Sequence, residues 1–129
     1  MKRALIIECD EQQATFSNGD MLQFSDDSIN LTDATQVNDM TGYCISLDYY
    51  DDYTSNYECY YEFFQTLAGF IYPISWCTYD YDNESHCYYV DECTLDSNEP
   101  IAIIKEGNSK NSNLNFWHAM YKAIQAMQG

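Results

Sequence analysis

Basic residues are almost absent from this 129-residue sequence. It contains 5 Lys and Arg against 21 Asp and Glu, so the formal net charge at pH 7 is −16. No Lys or Arg occurs between Ala4 and Ile104. Because repulsion between like charges opposes a compact state, the imbalance indicates a cationic partner, with adaptation to high salt as the alternative. Phosphates repel such a surface, so direct binding to DNA, RNA or anionic lipid is not expected.

Long apolar segments are also lacking. The sequence contains no transmembrane segment, and the run Ala4–Ile7 ends at Glu8, which is too short for the apolar core of a signal peptide. We therefore predict a cytoplasmic protein. With 46% apolar residues, the chain can bury a core despite its charge, and we predict a single domain over residues 1–129.

Six cysteines are many for a chain of this length. In the reducing cytosol we expect them to be free thiols that act as small buried apolar residues. In an oxidising compartment, the even number would instead predict a disulfide framework. The six are Cys9, Cys44, Cys59, Cys77, Cys87 and Cys93.

Motifs for catalysis and for cofactors are missing. The chain has 2 His, no glycine-rich phosphate loop, and no Ser or Cys in a nucleophile motif, so we predict that it is not an enzyme and uses no cofactor. Cys77, His86, Cys87 and Cys93 are close in sequence, but they lack the short spacing of zinc knuckles. Asp80, Asp82 and Glu84 lack the glycine and the final glutamate of a calcium-binding loop. We therefore predict no metal site, and a Cys/His metal-binding protein remains an alternative.

Residue periodicity predicts an α+β fold, with a mostly antiparallel sheet of five to seven strands and two helices packed on one face. The first helix is expected at about 55–70, where Ser55 and Glu58 match a capping box and an apolar stripe follows. The second is expected at about 113–127. Asn18-Gly19 predicts one hairpin, and the turn at 82–85 predicts another.

Tyrosines and acids are concentrated between Tyr43 and Cys93. This stretch contains 12 of the 13 tyrosines and 10 of the 21 acids. We expect the tyrosines of the predicted helix to be buried. Nothing in the core requires the residues of two other segments, a loop at Asp48–Tyr53 and a hairpin at Tyr79–Glu84. We therefore predict that these segments bind a partner, and an ordinary solvated face is the simpler alternative. The predicted partner-binding residues are Asp48, Tyr49, Tyr50, Asp51, Asp52, Tyr53, Asp80, Asp82, Glu84, Asp91 and Glu92.

The size, the charge, the acid–tyrosine runs and the lack of basic residues resemble those of small acidic phage and mobile-element inhibitors that mimic nucleic acid. These are proteins of the antirestriction and anti-CRISPR type. The resemblance is one of class and aligns no motif, so it assigns no residue roles. It implies an inhibitor that occupies the DNA- or RNA-binding groove of a host defence or DNA-processing protein. An immunity-type antidote to a basic nuclease toxin has the same electrostatics and remains the alternative.

Overall fold

The computed structural model describes residues 4–9, 13–23, 32, 34–51, 56–105 and 114–128. Within these ranges, the side chains at 22–23, 47–51, 56–61, 87–88, 114–115, 118 and 128 lie outside the description. Nine strands and one helix are formed by the described residues. They are β1 (Leu5–Cys9), β2 (Gln13–Phe16), β3 (Met21–Gln23), β4 (Thr35–Val37), β5 (Met40–Asp51), β6 (Asn56–Thr66), β7 (Phe70–Asp82), β8 (Cys87–Leu95), β9 (Ala102–Lys105) and α1 (Leu114–Gln128).

The strands form one mixed sheet in the order β3-β2-β1-β9-β7-β6-β5-β4, and β8 pairs with β7 outside this path. Only the β1–β9 pair is parallel among the described strands, with Leu5 opposite Ala102. β1 alternates between buried and exposed residues, so it covers the core with one face. The two halves of the sheet meet where β7 pairs with both β6 and β9.

Helix α1 covers one face of the sheet. Its residues Phe116, Trp117 and Met120 are fully buried against strand residues of that face. Trp117 stacks on Phe63 of β6, with ring centroids 5.5 Å apart, and Phe116 stacks on Phe16 of β2 at 6.3 Å. The aromatic pairs fix the helix on the sheet, and their burial excludes water from this main core.

The opposite face of the sheet has a second, smaller core. Cys44, Phe64 and Tyr72 lie side by side on β5, β6 and β7, and all three are buried. β6 and β7 pair as far as Phe63 and Pro73, and a proline has no N–H to extend the ladder. Beyond Pro73, β7 pairs with β8 alone among the described strands, and this hairpin packs on the second core.

The predicted fold class is wrong. Residues 56–66, expected in the first helix, form β6, and its side chains at 63–66 are buried on both faces of the sheet: Phe63 contacts the main core and Phe64 the second core. The aromatic composition of this segment favours a strand. At 63–66 both faces of the strand are buried, so this part has no exposed polar face to distinguish it from a buried helix. Gly69, expected at the helix end, lies in the β6–β7 turn with φ +93°.

Other sequence-based predictions have mixed outcomes. The two hairpins are present as β2–β3 and β7–β8. A helix is present at Leu114–Gln128, close to the second predicted helix. The expected loop at Asp48–Tyr53 is wrong in its first part, because β5 continues to Asp51 and pairs with β6 as far as Asn56. Asp52 and Tyr53 lie outside the described residues.

Candidate functional site

The β7–β8 hairpin from Ile74 to Leu95, called here the acidic ribbon, has two different faces. Its inner face contributes Cys77, Tyr79, Val90 and Cys93 to the second core. Because side chains alternate along a strand, Trp76, Thr78, Asp80 and Asp82 are directed to the other face. This outer face turns away from the sheet and is open to solvent.

Acidic side chains are distributed over the outer face and the end of the acidic ribbon. Asp80, Glu84, Asp91 and Glu92 are exposed, and Asp82 is half-buried. Asp91 is the extra residue of a bulge, since Glu92 pairs with Thr78 and Val90 with Tyr79. In the part of the chain that the structure describes, none of these five carboxylates forms an ion pair. The ribbon therefore presents uncompensated negative charge.

The two carboxyl groups nearest the turn differ in role. Asp82 Oδ1 accepts a hydrogen bond from the backbone N–H of Glu84 at 2.9 Å, so Asp82 also shapes the turn. The turn ends at His86, which adopts a left-handed conformation with φ 55°. Glu84 lies at the tip with no such structural bond. Asp80 and Glu84 are thus better placed than Asp82 to contact a partner.

Large aromatic side chains are exposed on the same ribbon. Trp76 is 51% exposed, Tyr81 47% and Tyr89 40%. Tyr89 lies directly opposite Asp80 in the β7–β8 ladder, and its hydroxyl lies 3.1 Å from that of Ser85. Exposed aromatics between acids are typical of surfaces that bind Arg-rich proteins, because the rings stack on guanidinium groups.

The other predicted acidic segment is defined only through its backbone. Asp48 pairs with Tyr60 and Asp51 with Asn56 at one end of the β5–β6 hairpin. The side chains of residues 48–51 lie outside the description, as do Asp52 and Tyr53 entirely. The structure therefore places five of the eleven predicted residues on the acidic ribbon and leaves the grouping of the other six as a prediction.

Three cysteines, called here the thiol cluster, meet beneath the acidic ribbon. The sulfur atoms of Cys44, Cys77 and Cys93 all lie within 4.8 Å of one another, and the three are free thiols. Cys77 and Cys93 are paired across the β7–β8 ladder, and Cys44 comes from β5 below. The Cys44 N–H donates to Thr32 Oγ1 at 3.0 Å, which fixes the backbone at this point.

The three thiols perturb one another strongly. Hydrogen bonds from Cys44 and Cys93 lower the pKa of Cys77 to about 3, against the opposing effect of burial. The pKa of Cys44 is raised because it donates to Cys77 and to Cys93, and because it is buried. The hydrogen bond that Cys44 donates lowers the pKa of Cys93. The hydrogen bond that Cys93 donates to Cys77, burial and the nearby charges have the opposite effect, and together they raise the pKa of Cys93 to about 12. The pKa of Cys77 is therefore lowered, whereas those of Cys44 and Cys93 are raised.

An open cleft of about 360 Å³ leads to this cluster, lined by Glu62, Ile74, Ser75, Trp76 and Cys77. The Glu62 carboxylate is close enough to raise the pKa values of Tyr79 and Cys93. Burial is the main cause of the raised pKa of Tyr79, followed by the neighbouring Cys77. The Tyr79 hydroxyl is buried next to Cys77 but outside hydrogen-bonding geometry, and no other polar group of the described residues pairs with it.

The thiol cluster differs from the cysteine group considered from the sequence. Cys87 is paired with Asp82, and this pair lies five positions along the ladder from the Cys77–Cys93 pair, a distance of about 16 Å. His86 lies in the turn beyond it. Cys44 replaces them, although it lies 33 residues before Cys77 in the sequence. Only the register of β5, β6 and β7 shows that Cys44 faces the ribbon.

Comparisons with known protein families, with curated proteins and with solved structures find no match to this chain. Among the described residues, the single helix is too short and too polar to cross a membrane.

Proposed function

We propose that this protein is an acidic inhibitor that mimics nucleic acid and occupies the DNA- or RNA-binding groove of a host defence or DNA-processing protein. The observation that supports the proposal is the outer face of the acidic ribbon. It exposes Asp80 and Glu92 beside Trp76 and Tyr89, in a chain that has no Lys or Arg between Ala4 and Ile104.

The spacing of the acids suits a groove that binds phosphates. Asp80 and Asp82 project from the same face of β7, about 6.6 Å apart along the strand. Phosphates of one DNA strand follow at about 3.4 Å along the duplex axis, so one strand of acids has about half that density. The adjacent strand β8, about 4.8 Å away, adds Glu92 and the bulged Asp91. Together the two strands approach the charge density of nucleic acid.

The exposed aromatic side chains add contacts that simple charge does not give. Lys and Arg of a nucleic-acid-binding groove would pair with the carboxylates, and Arg would also stack on Trp76 or Tyr89. Charge complementarity accelerates association, whereas buried aromatics at the centre of an interface slow dissociation. An inhibitor of a cytoplasmic enzyme complex needs both properties.

Affinity capture from a host lysate tests this proposal. Wild-type protein is expected to retain nucleic-acid-binding proteins at about 0.1 M salt and to release them at about 1 M, since salt screens exposed charges. The double variant Asp80→Lys/Glu92→Lys should retain none of them. Asp20→Lys/Glu99→Lys changes two exposed acids outside the ribbon by the same total charge and serves as the matched control.

Equal retention by both double variants would place the binding surface elsewhere. Capture of one basic nuclease, encoded next to the gene of this protein, would favour the antidote alternative over a mimic aimed at host defence. In both cases, circular dichroism of the two variants must match that of the wild type, which separates loss of binding from loss of fold.

A further inference from the structure

We propose that Cys44, Cys77 and Cys93 form a binding site for a thiophilic metal ion, with zinc as the ion that fits best. The proposal goes beyond the inhibitor function and does not depend on it. It rests on the convergence of three thiols from three strands, on the cleft that reaches them, and on a buried hydroxyl beside them.

The separation of the sulfur atoms fits a shared metal. Three thiolates bound to one zinc ion at about 2.3 Å, in tetrahedral geometry, lie about 3.8 Å apart. The three sulfurs of the thiol cluster lie within 4.8 Å of one another, so small side-chain movements bring them to one ion. A disulfide needs a sulfur separation of about 2.05 Å, and the three cysteines are free.

The chemistry of the ligands favours a soft ion. Thiolates select zinc or Cu(I) over Mg²⁺ and Ca²⁺, which prefer oxygen ligands. On binding, the sulfurs form bonds to the metal and the remaining thiol protons pass to solvent. Three thiolates and one Zn²⁺ give a net charge of −1.

The surroundings provide access and a fourth position. Cys77 lines the open cleft, and the Glu62 carboxylate lies in the same cleft. Glu62 or a water molecule would complete the four-coordinate shell, as in zinc sites with three protein ligands. The buried Tyr79 hydroxyl lies next to Cys77, and a small side-chain movement would let it donate to a metal-bound sulfur. Such second-shell bonds orient metal ligands and tune their basicity.

The site would also have a mechanical consequence. Cys77 and Cys93 belong to the acidic ribbon, whereas Cys44 belongs to β5 of the main sheet. A metal ion bound to all three fixes the ribbon to the sheet. It therefore holds the outer acidic face in one orientation.

Zinc titration of the reduced, metal-free protein tests the site. Competition with a chromophoric chelator should show one zinc ion per chain, bound with nanomolar affinity or tighter, and no comparable binding of Mg²⁺ or Ca²⁺. Cys77→Ser and Cys93→Ser should each weaken zinc binding by about 100-fold or more, because a direct ligand contributes at least as much as a second-shell partner. Cys9→Ser, which changes a half-buried thiol of the main core, should leave it unchanged.

Two measurements keep the proposal testable if a serine variant unfolds. Co²⁺ bound to the wild-type protein should show sulfur-to-cobalt charge transfer and the strong visible absorption of a tetrahedral site. Zinc should also protect the half-buried Cys77 and Cys93 from alkylation, as mapped by mass spectrometry. Micromolar or weaker binding, an octahedral cobalt spectrum, or protection of other cysteines instead would overturn the proposal.

Discussion

Cys77 and Cys93 lie directly opposite each other across the β7–β8 ladder, with their sulfur atoms turned inward to Cys44 of the main sheet. This pair forms the inner face of the acidic ribbon, and the acids and exposed aromatics lie on the outer face. The two faces therefore have separate roles. The inner face joins the ribbon to the sheet, and the outer face is available to a partner.

Alkylation should reveal the unequal thiols of the cluster. Hydrogen bonds from Cys44 and Cys93 lower the pKa of Cys77 to about 3, so this residue remains a thiolate well below neutral pH, and the thiolate is the reactive form. In reduced, metal-free protein, iodoacetamide should label Cys77 before Cys93, whose pKa is raised to about 12. The rate at Cys77 should be nearly constant from about pH 6 to pH 8, whereas that of an ordinary cysteine rises roughly 80-fold.

Peptide mapping after timed labelling gives these rates. The pH-independent labelling should disappear in Cys77→Ser. A rate at Cys77 that rises with pH like that of an unperturbed cysteine would contradict the lowered pKa of this thiol.

The two tryptophans should separate binding from stability. Trp76→Ala removes a half-exposed ring of the ribbon and should weaken partner binding by about 2 kcal/mol, roughly 30-fold, while changing the free energy of unfolding by less than about 0.5 kcal/mol. Trp117→Ala removes a fully buried ring of the main core and should reduce the free energy of unfolding by about 3–5 kcal/mol. Calorimetric titration and urea unfolding measure the two effects. Full binding by Trp76→Ala would exclude this ring from the interface.

A pair of glycine variants tests whether residues 56–66 form a strand beside β5. A Cβ on Gly42 would collide with the carbonyl oxygen of Gln65 and approach the ring of Phe64, both on β6. We expect Gly42→Ala to reduce the free energy of unfolding by about 2–3 kcal/mol. Gly19→Ala has open space around its new methyl group and only the strain of φ +98°, which costs about 1 kcal/mol.

Urea unfolding of both variants gives the comparison. Similar small losses would show that β6 does not lie against Gly42 and would favour the helix predicted from the sequence. The control is well matched because both changes add one methyl group to a glycine.

Local patterns in the sequence predicted the hairpins, because turn residues such as Asn18-Gly19 act over a few positions. The strand at 56–66 was missed because both faces are buried at 63–66, which erases the alternation that identifies a strand. Phe63 and Phe64 are adjacent, yet they contact two different cores. Periodicity alone does not distinguish such a segment from a buried helix.

The candidate site shows the same limit. The exposed acids near the β7–β8 turn could be predicted because the turn and the acids lie within one short segment. The contact of Cys44 with Cys77 could not be predicted, because it depends on the register of three strands and on the departure of β7 from the sheet after Pro73. A pattern along the chain gives no information on such a contact.

We propose that the acidic ribbon occupies a surface that otherwise binds nucleic acid, and competition measures this most directly. The captured partner is titrated with this protein in the absence and presence of its own DNA or RNA ligand, at fixed salt. We predict that the nucleic acid raises the apparent Kd in proportion to its concentration, and that Asp80→Lys/Glu92→Lys binds in neither case. Unchanged affinity with the groove already filled by nucleic acid would contradict the proposed mimicry.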